Sequence, residues 1–225
     1  MYGKHSFGEE IDCGEVYIRC EKNYLRICKG ERVEKIVSGG KGFLINPVEP
    51  VNLPVRITRT LFIEFSKTVA VEPERSVKVY LKFPVEIGVF VEGKKLYSID
   101  VFTLSKPKFA LYGDPRKGVV CKYFKSDVYE SIPKVSGLEE GILELTIRNA
   151  SDEWVEVKKA VFDSYGMKIY YSSFPSMVAL MKVESKTIAE TSFINKPVKE
   201  KMKRSVDLYS KRLVERSKFV MEWGY

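Results

Sequence analysis

From residue 15 onward the apolar residues recur at every second position rather than at the 3.6-residue spacing of a helix, the signature of half-buried strands. Val16, Ile18 and Cys20 share one parity. A two-residue turn at Lys22-Asn23 sets Cys20 opposite Leu25 and Ile18 opposite Ile27, which gathers the apolar side chains of this hairpin on one face and leaves Cys28 on the other. In that register Cys20 and Cys28 cannot bridge each other, because a disulfide needs converging Cβ vectors.

The pattern continues along the chain. Residues 39–42 (Gly-Gly-Lys-Gly) read as a loop, and 46–54 carry three prolines in an edge or linker stretch. Leu61, Ile63 and Phe65 alternate, and Val77, Val79, Leu81 and Phe83 alternate with Lys78, Tyr80 and Lys82. Pro84 cannot donate to a central ladder, so it predicts an edge position or bulge before the next run, Val85, Ile87, Val89 and Val91. Further strands are predicted over 96–103, 108–112 and 119–124, the last two flanking a turn at 113–118. The polar stretch 131–141 reads as an internal boundary. Beyond it Leu143, Leu145 and Ile147, a turn at 149–152, and Val155, Val157 and Val161 predict a β-hairpin, followed by strands over 167–172, 177–183 and 187–193.

After Pro197 the period changes to that of a helix. Val198, Met202, Val206, Tyr209, Leu213 and Val220 fall in one narrow sector at 3.6 residues per turn, with Lys203, Arg204, Lys211 and Lys218 on the far side. The expected fold is therefore mainly β: β-sandwich-like antiparallel sheets in one large or two stacked units, with a C-terminal amphipathic α-helix. The expected division is an N-terminal β domain over 1–135, a sandwich-like unit over 136–195, and a basic helix with an aromatic tail over 196–225.

Charge sharpens this picture. Residues 196–218 carry nine basic against three acidic side chains, which is +6 of the chain's net +8, so the body is nearly neutral. Hydrophobic residues make up 44% of the 225 positions, with 13 Tyr and 13 Phe, enough for a packed core. Charged residues interrupt nearly every apolar run, leaving no transmembrane segment, and the start lacks a secretory signal, which predicts a cytoplasmic location. The chain has 23 Glu, seven Asp, five Asn and no Gln. That balance predicts a thermophilic source, since amides are thermolabile and Glu and Lys build ion-pair networks.

Several segments together resemble an archaeal domain family of unknown function. They are Val85-Glu-Ile-Gly-Val-Phe-Val, Ser105-Lys-Pro-Lys-Phe-Ala-Leu-Tyr-Gly with Gly118-Val-Val-Cys-Lys-Tyr-Phe-Lys-Ser, and the opening Met1-Tyr-Gly. The resemblance covers most of the chain and implies an uncharacterised archaeal protein. It carries no known chemistry, so no functional residue transfers from it.

The candidate chemistry is sparse. His5 is the one histidine, and it reads as an incidental terminal residue. Cys13, Cys20, Cys28 and Cys121 contain no Cys-x-x-Cys pair and no zinc-site spacing. They are expected to be reduced and mostly buried, with one bridge left open because hyperthermophiles tolerate internal disulfides. Gly39-Gly-Lys-Gly42 lacks Walker spacing, and no nucleophile elbow, dinucleotide fingerprint or His-Glu-x-x-His pair occurs. Asp114 and Arg116 lie in a loop that reads first as a Pro-Gly turn and second as a displayed binding loop. Glu9-Glu10 and Glu139-Glu140 read as solvated charge. Tyr123-Phe124 and Tyr170-Tyr171 place one ring of each pair on an outer face, where it packs or stacks a base.

The tail has more to offer. Its apolar stripe must bury against something, the chain's own β body in the plainer reading and a partner in the functional one, since an isolated amphipathic helix is marginal in water. The sequence therefore predicts a non-enzymatic binding or assembly module without a cofactor. Its partner, another protein or a second copy, would dock through the helix with Phe219, Trp223 and Tyr225 as contacts. The alternative is a nucleic-acid-binding protein with Lys199, Lys201, Lys203, Arg204, Lys211 and Arg212 on phosphates. Peripheral contact with an anionic membrane ranks below both.

Overall fold

The computed structural model describes residues 1–6, 8–21, 24–54, 57–209 and 218–225. Five short strands open the chain: β1 (Gly3–His5), β2 (Glu10–Asp12), β3 (Val16–Glu21), β4 (Tyr24–Lys29) and β5 (Arg32–Ser38). Then come β6 (Phe43–Val48), β7 (Thr60–Val71), β8 (Ser76–Pro84), β9 (Glu86–Glu92), β10 (Leu96–Phe102), β11 (Lys108–Tyr112) and β12 (Val119–Ser126). The rear of the chain adds β13 (Glu140–Asn149), β14 (Val155–Asp163), β15 (Tyr170–Tyr171), β16 (Pro175–Val183), β17 (Ala189–Ile194), β18 (Lys203–Arg204) and β19 (Phe219–Met221), with one 3-10 turn at Ser164–Gly166.

These strands form four sheets, ordered β2-β3-β4-β5, β1-β6-β9-β10, β11-β12-β7-β14 and β18-β15-β16-β13-β8, with β17 on β16 and β19 on β17. The β3–β4 hairpin has the register the alternation predicts, Ile18 against Ile27 and Cys20 against Leu25. Pro84 ends β8, an edge strand, and the chain steps at Val85 from one sheet into the next, which explains how a proline follows so regular a run. One continuous core joins Ile18, Leu25 and Ile45 to Leu81, Leu143 and Val161.

Three expectations are corrected. Two of the four sheets are mixed rather than antiparallel, because β12 runs parallel to β7 and β13 parallel to β16, while the β2-β3-β4-β5 and β1-β6-β9-β10 sheets are antiparallel throughout. Residues 143–161 are not a hairpin: β13 pairs with β8 and β16, while β14 pairs with β7 in the facing sheet. The intervening turn is an arch, pinned by Asn149 Nδ2, which donates to Val71 O (3.1 Å) and Glu153 O (2.7 Å). Both β8–β13 and β7–β14 also link strands from the two sides of residue 135.

The third correction concerns the tail. The expected amphipathic helix is absent: among the described residues of 196–225 the regular elements are β18 and β19 alone. Three of its described backbone donors are taken by tertiary partners instead of an i−4 carbonyl. Ser205 N donates to Ile169 O (2.9 Å), Val206 N to Asn46 Oδ1 (3.1 Å) and Leu208 N to Glu49 Oε2 (3.3 Å). Lys201 adopts a left-handed φ of 65°, which a helix interior excludes. Two apolar residues of the stripe, Met202 and Val206, are still used. Met202 is buried and Val206 packs with Leu208 over Leu44, Val48 and Phe90, closing the outer face of the β6–β9 sheet as a strap. That face is flattened at Gly88, where a Cβ would lie 2.7 Å from the Phe90 ring.

Candidate functional site at the β11–β12 edge

The hairpin of β11 and β12 gathers charge that the sequence alone disperses. Between Ser105 and Lys125 the chain places six cations, Lys106, Lys108, Arg116, Lys117, Lys122 and Lys125, against one carboxylate, Asp114. Strand pairing sets Leu111 opposite Val120 and Phe109 opposite Lys122, so these four side chains share one face. Phe109, Leu111 and Val120 are 36%, 44% and 44% exposed, which for such residues marks an uncovered apolar row.

Both ends of the hairpin are fastened. At its base Lys122 and Glu86 are almost wholly buried and lie 3.1 Å apart, and Lys122 Nζ also donates to Leu53 O (2.9 Å). The second Glu86 oxygen accepts from Asn52 N (2.9 Å), so this charge pair ties β12, β9 and the 52–53 loop together. Lys122 Nζ also stands 5.7 Å from the centre of the Phe109 ring. At the tip, on the opposite face, Tyr112 donates to Gly224 O (2.9 Å) and Trp223 N donates to the Tyr112 hydroxyl (3.2 Å). The Trp223 ring meets Tyr112 edge-on, with centroids 5.7 Å apart.

Burial dominates the titration of this region. It pushes the Tyr112 phenol up to about 12 and the Cys121 thiol up to about 12, so neither ionises near neutrality. Burial, with the Glu64 carboxylate 2.7 Å away as acceptor, also raises Tyr123. These are properties of a packed scaffold rather than of an acid–base site. Among the described residues no group of three or more His, Cys, Asp or Glu is placed to hold a metal ion.

Two clefts flank the segment 105–107. One, of about 290 Å³, is walled by Pro84, Pro107 and Phe124 and carries Lys106, Lys108 and Lys125. The other, of about 500 Å³, lies between Leu53-Pro54 and residues 101–107.

The structure unites some predicted residues and separates others. Trp223 and the loop of Asp114 and Arg116 meet, since the Trp223 indole covers Gly113; Asp114 Oδ1 itself accepts from Arg116 N (2.8 Å) as an Asx turn. Phe219 packs on Tyr112 (6.1 Å), and Tyr225 donates to Ser185 O (2.9 Å). Lys199 lies over the Phe174 ring (5.5 Å), Arg204 pairs with Asp207 (2.9 Å), and Lys201 and Lys203 are exposed on the strap. The helix expected to carry these residues is absent among the described residues, and Lys211 and Arg212 lie outside them. His5 is fixed: it belongs to β1, its Nδ1–H donates to Glu9 Oε2 (2.8 Å) and its ring stacks on Phe43 (5.2 Å). Sequence reasoning missed Phe109, Leu111 and Val120. The available signal was that 108–112 is apolar at both parities, Phe109 and Leu111 on one face and Ala110 and Tyr112 on the other, which only a doubly covered strand satisfies.

Neither a curated protein nor a solved structure matches the chain. A family profile matches residues 1–222, and with that coverage the chain belongs to the DUF432 family, described as proteins of unknown function.

Proposed function

We propose that this chain is a non-enzymatic binding module that docks a protein partner along the free edge of β11. The observation that carries the reading is the pair of uncovered apolar side chains Phe109 and Leu111 on β11, a strand paired on one side only, with exposed Val120 beside them on β12. Sheet edges are usually blunted, because open backbone groups invite pairing. The other long edges here are blunted. Tyr129 exchanges backbone hydrogen bonds with Tyr80 of β8, β5 is bulged at Glu34, Lys35 reaches Ile99 O (2.7 Å) beside a bulge in β10, and the β14–β7 ladder shifts register between Val157 and Lys159. Among the described residues β11 has no bulge and no such cover. Strand addition supplies affinity through the main chain and specificity through alternate side chains.

A photo-crosslinking residue at position 111, compared with one at the still more solvent-facing Trp154, tests this in lysate of the native source. A defined protein adduct at 111 that is missing at 154 and survives nuclease supports the reading. Equal labelling at both positions, or adducts that disappear with nuclease, contradicts it.

A further inference from the structure

Resting on that docking edge, we infer that the partner segment is an extended acidic strand, with apolar residues at alternate positions and carboxylates at both ends. Charge is the first reason. Lys122 is neutralised by Glu86 and Lys125 lies 3.8 Å from Glu64, but among the described residues Lys106, Lys108, Arg116 and Lys117 have no carboxylate partner. Lys106 and Lys108 stand at the start of β11 and Arg116 and Lys117 at the hairpin tip, so the unpaired cations bracket the apolar row. An acidic ligand gains steering and register from such an arrangement.

Shape is the second reason. The cleft of about 290 Å³ at the base of β11 has apolar walls, Pro84, Pro107 and Phe124, with Lys106, Lys108 and Lys125 at its lining. A carboxylate side chain fits that combination, because low-polarity walls strengthen its attraction to the ammonium groups. Length is the third. β11 has five residues, so an added strand covers roughly 17 Å, and two alternate apolar side chains would meet Phe109, Leu111 and Val120 before the acidic ends reach the cations. The chemistry of the row separates peptide from nucleic acid. Two of its three members are aliphatic and offer no flat surface to a base, whereas an open strand edge offers hydrogen bonds that only another backbone matches in register.

Fluorescence anisotropy with labelled synthetic probes tests this on the full chain. One peptide alternates Val and Thr and ends in Asp-Glu pairs. A second replaces the acids by Gln and Asn, and the other probes are an oligothymidylate and vesicles rich in anionic lipid. The acidic peptide is expected to bind about tenfold more tightly than the neutral one, to weaken with salt, and to lose that margin in Lys106→Glu/Lys108→Glu. Leu111→Lys is expected to weaken both peptides. Equal binding of the two peptides, both sensitive to Leu111→Lys, overturns the acidic inference and leaves the docking edge standing. Binding of the oligonucleotide or the vesicles with neither peptide overturns both. Thermal unfolding of each variant confirms that these surface substitutions leave the fold intact.

Discussion

The Trp223 indole lies directly against Gly113, where a Cβ would come within 2.6 Å of the ring at a backbone φ of 106°. The chain terminus and the hairpin tip, 110 positions apart, therefore depend on one missing methyl group.

Gly113→Ala is expected to destabilise the protein by about 1–3 kcal/mol, since the new residue meets both an unfavourable φ and the ring. Equilibrium denaturation followed by Trp fluorescence checks it. In a Trp154→Phe background the signal reports on Trp223, and an unchanged midpoint would show that the contact is not needed.

The buried pair Lys122–Glu86 makes a second prediction. Lys122→Met leaves a carboxylate buried without its countercharge and is expected to cost about 3–5 kcal/mol. Lys122→Met/Glu86→Gln is expected to recover much of that loss, because Gln still accepts from Asn52 N. Urea denaturation of the wild type, both single variants and the double variant gives the coupling.

Glu49 gives the pH dependence. Burial raises its carboxyl from 4.5 to about 7, with Asp207 adding to the rise while backbone N–H groups of Leu208 and Tyr209 oppose it. The folded state therefore holds a proton that the unfolded chain has released between those two values. Stability falls as pH rises through that window, by on the order of 3 kcal/mol. Glu49→Gln is expected to flatten this dependence, as read from denaturation midpoints at acidic and mildly alkaline pH. An unchanged slope would place the titration elsewhere.

Thiol reactivity follows from burial. Cys13, Cys28 and Cys121 are free, and burial pushes Cys13 up to about 11 and Cys121 up to about 12, while Cys28 is half-buried. Alkylation followed by mass spectrometry is expected to modify Cys28 before Cys13 and Cys121, which should react only on unfolding.

Local alternation made most strands legible: Ile18 against Ile27, and the span 108–112, follow from parity and turn chemistry. Pairing over long distances did not, because nothing between Leu143 and Val161 distinguishes a hairpin from an arch between facing sheets. The tail misled for a related reason. Met202 and Val206 have helical spacing, but their burial is met by an extended strap whose donors find Asn46 and Glu49 far back in the chain. The candidate site was half legible. Asp114, Arg116 and Trp223 drew notice for their residue types, whereas Phe109, Leu111 and Val120 passed as ordinary strand interior until the sheet order left them at an edge.

Amide hydrogen exchange with and without the acidic strand peptide tests the docking edge most directly. Strand addition predicts new protection over 108–112, with β17, β18 and the 205–209 strap unchanged. Protection that appears on the strap or elsewhere while 108–112 exchanges as before would contradict it.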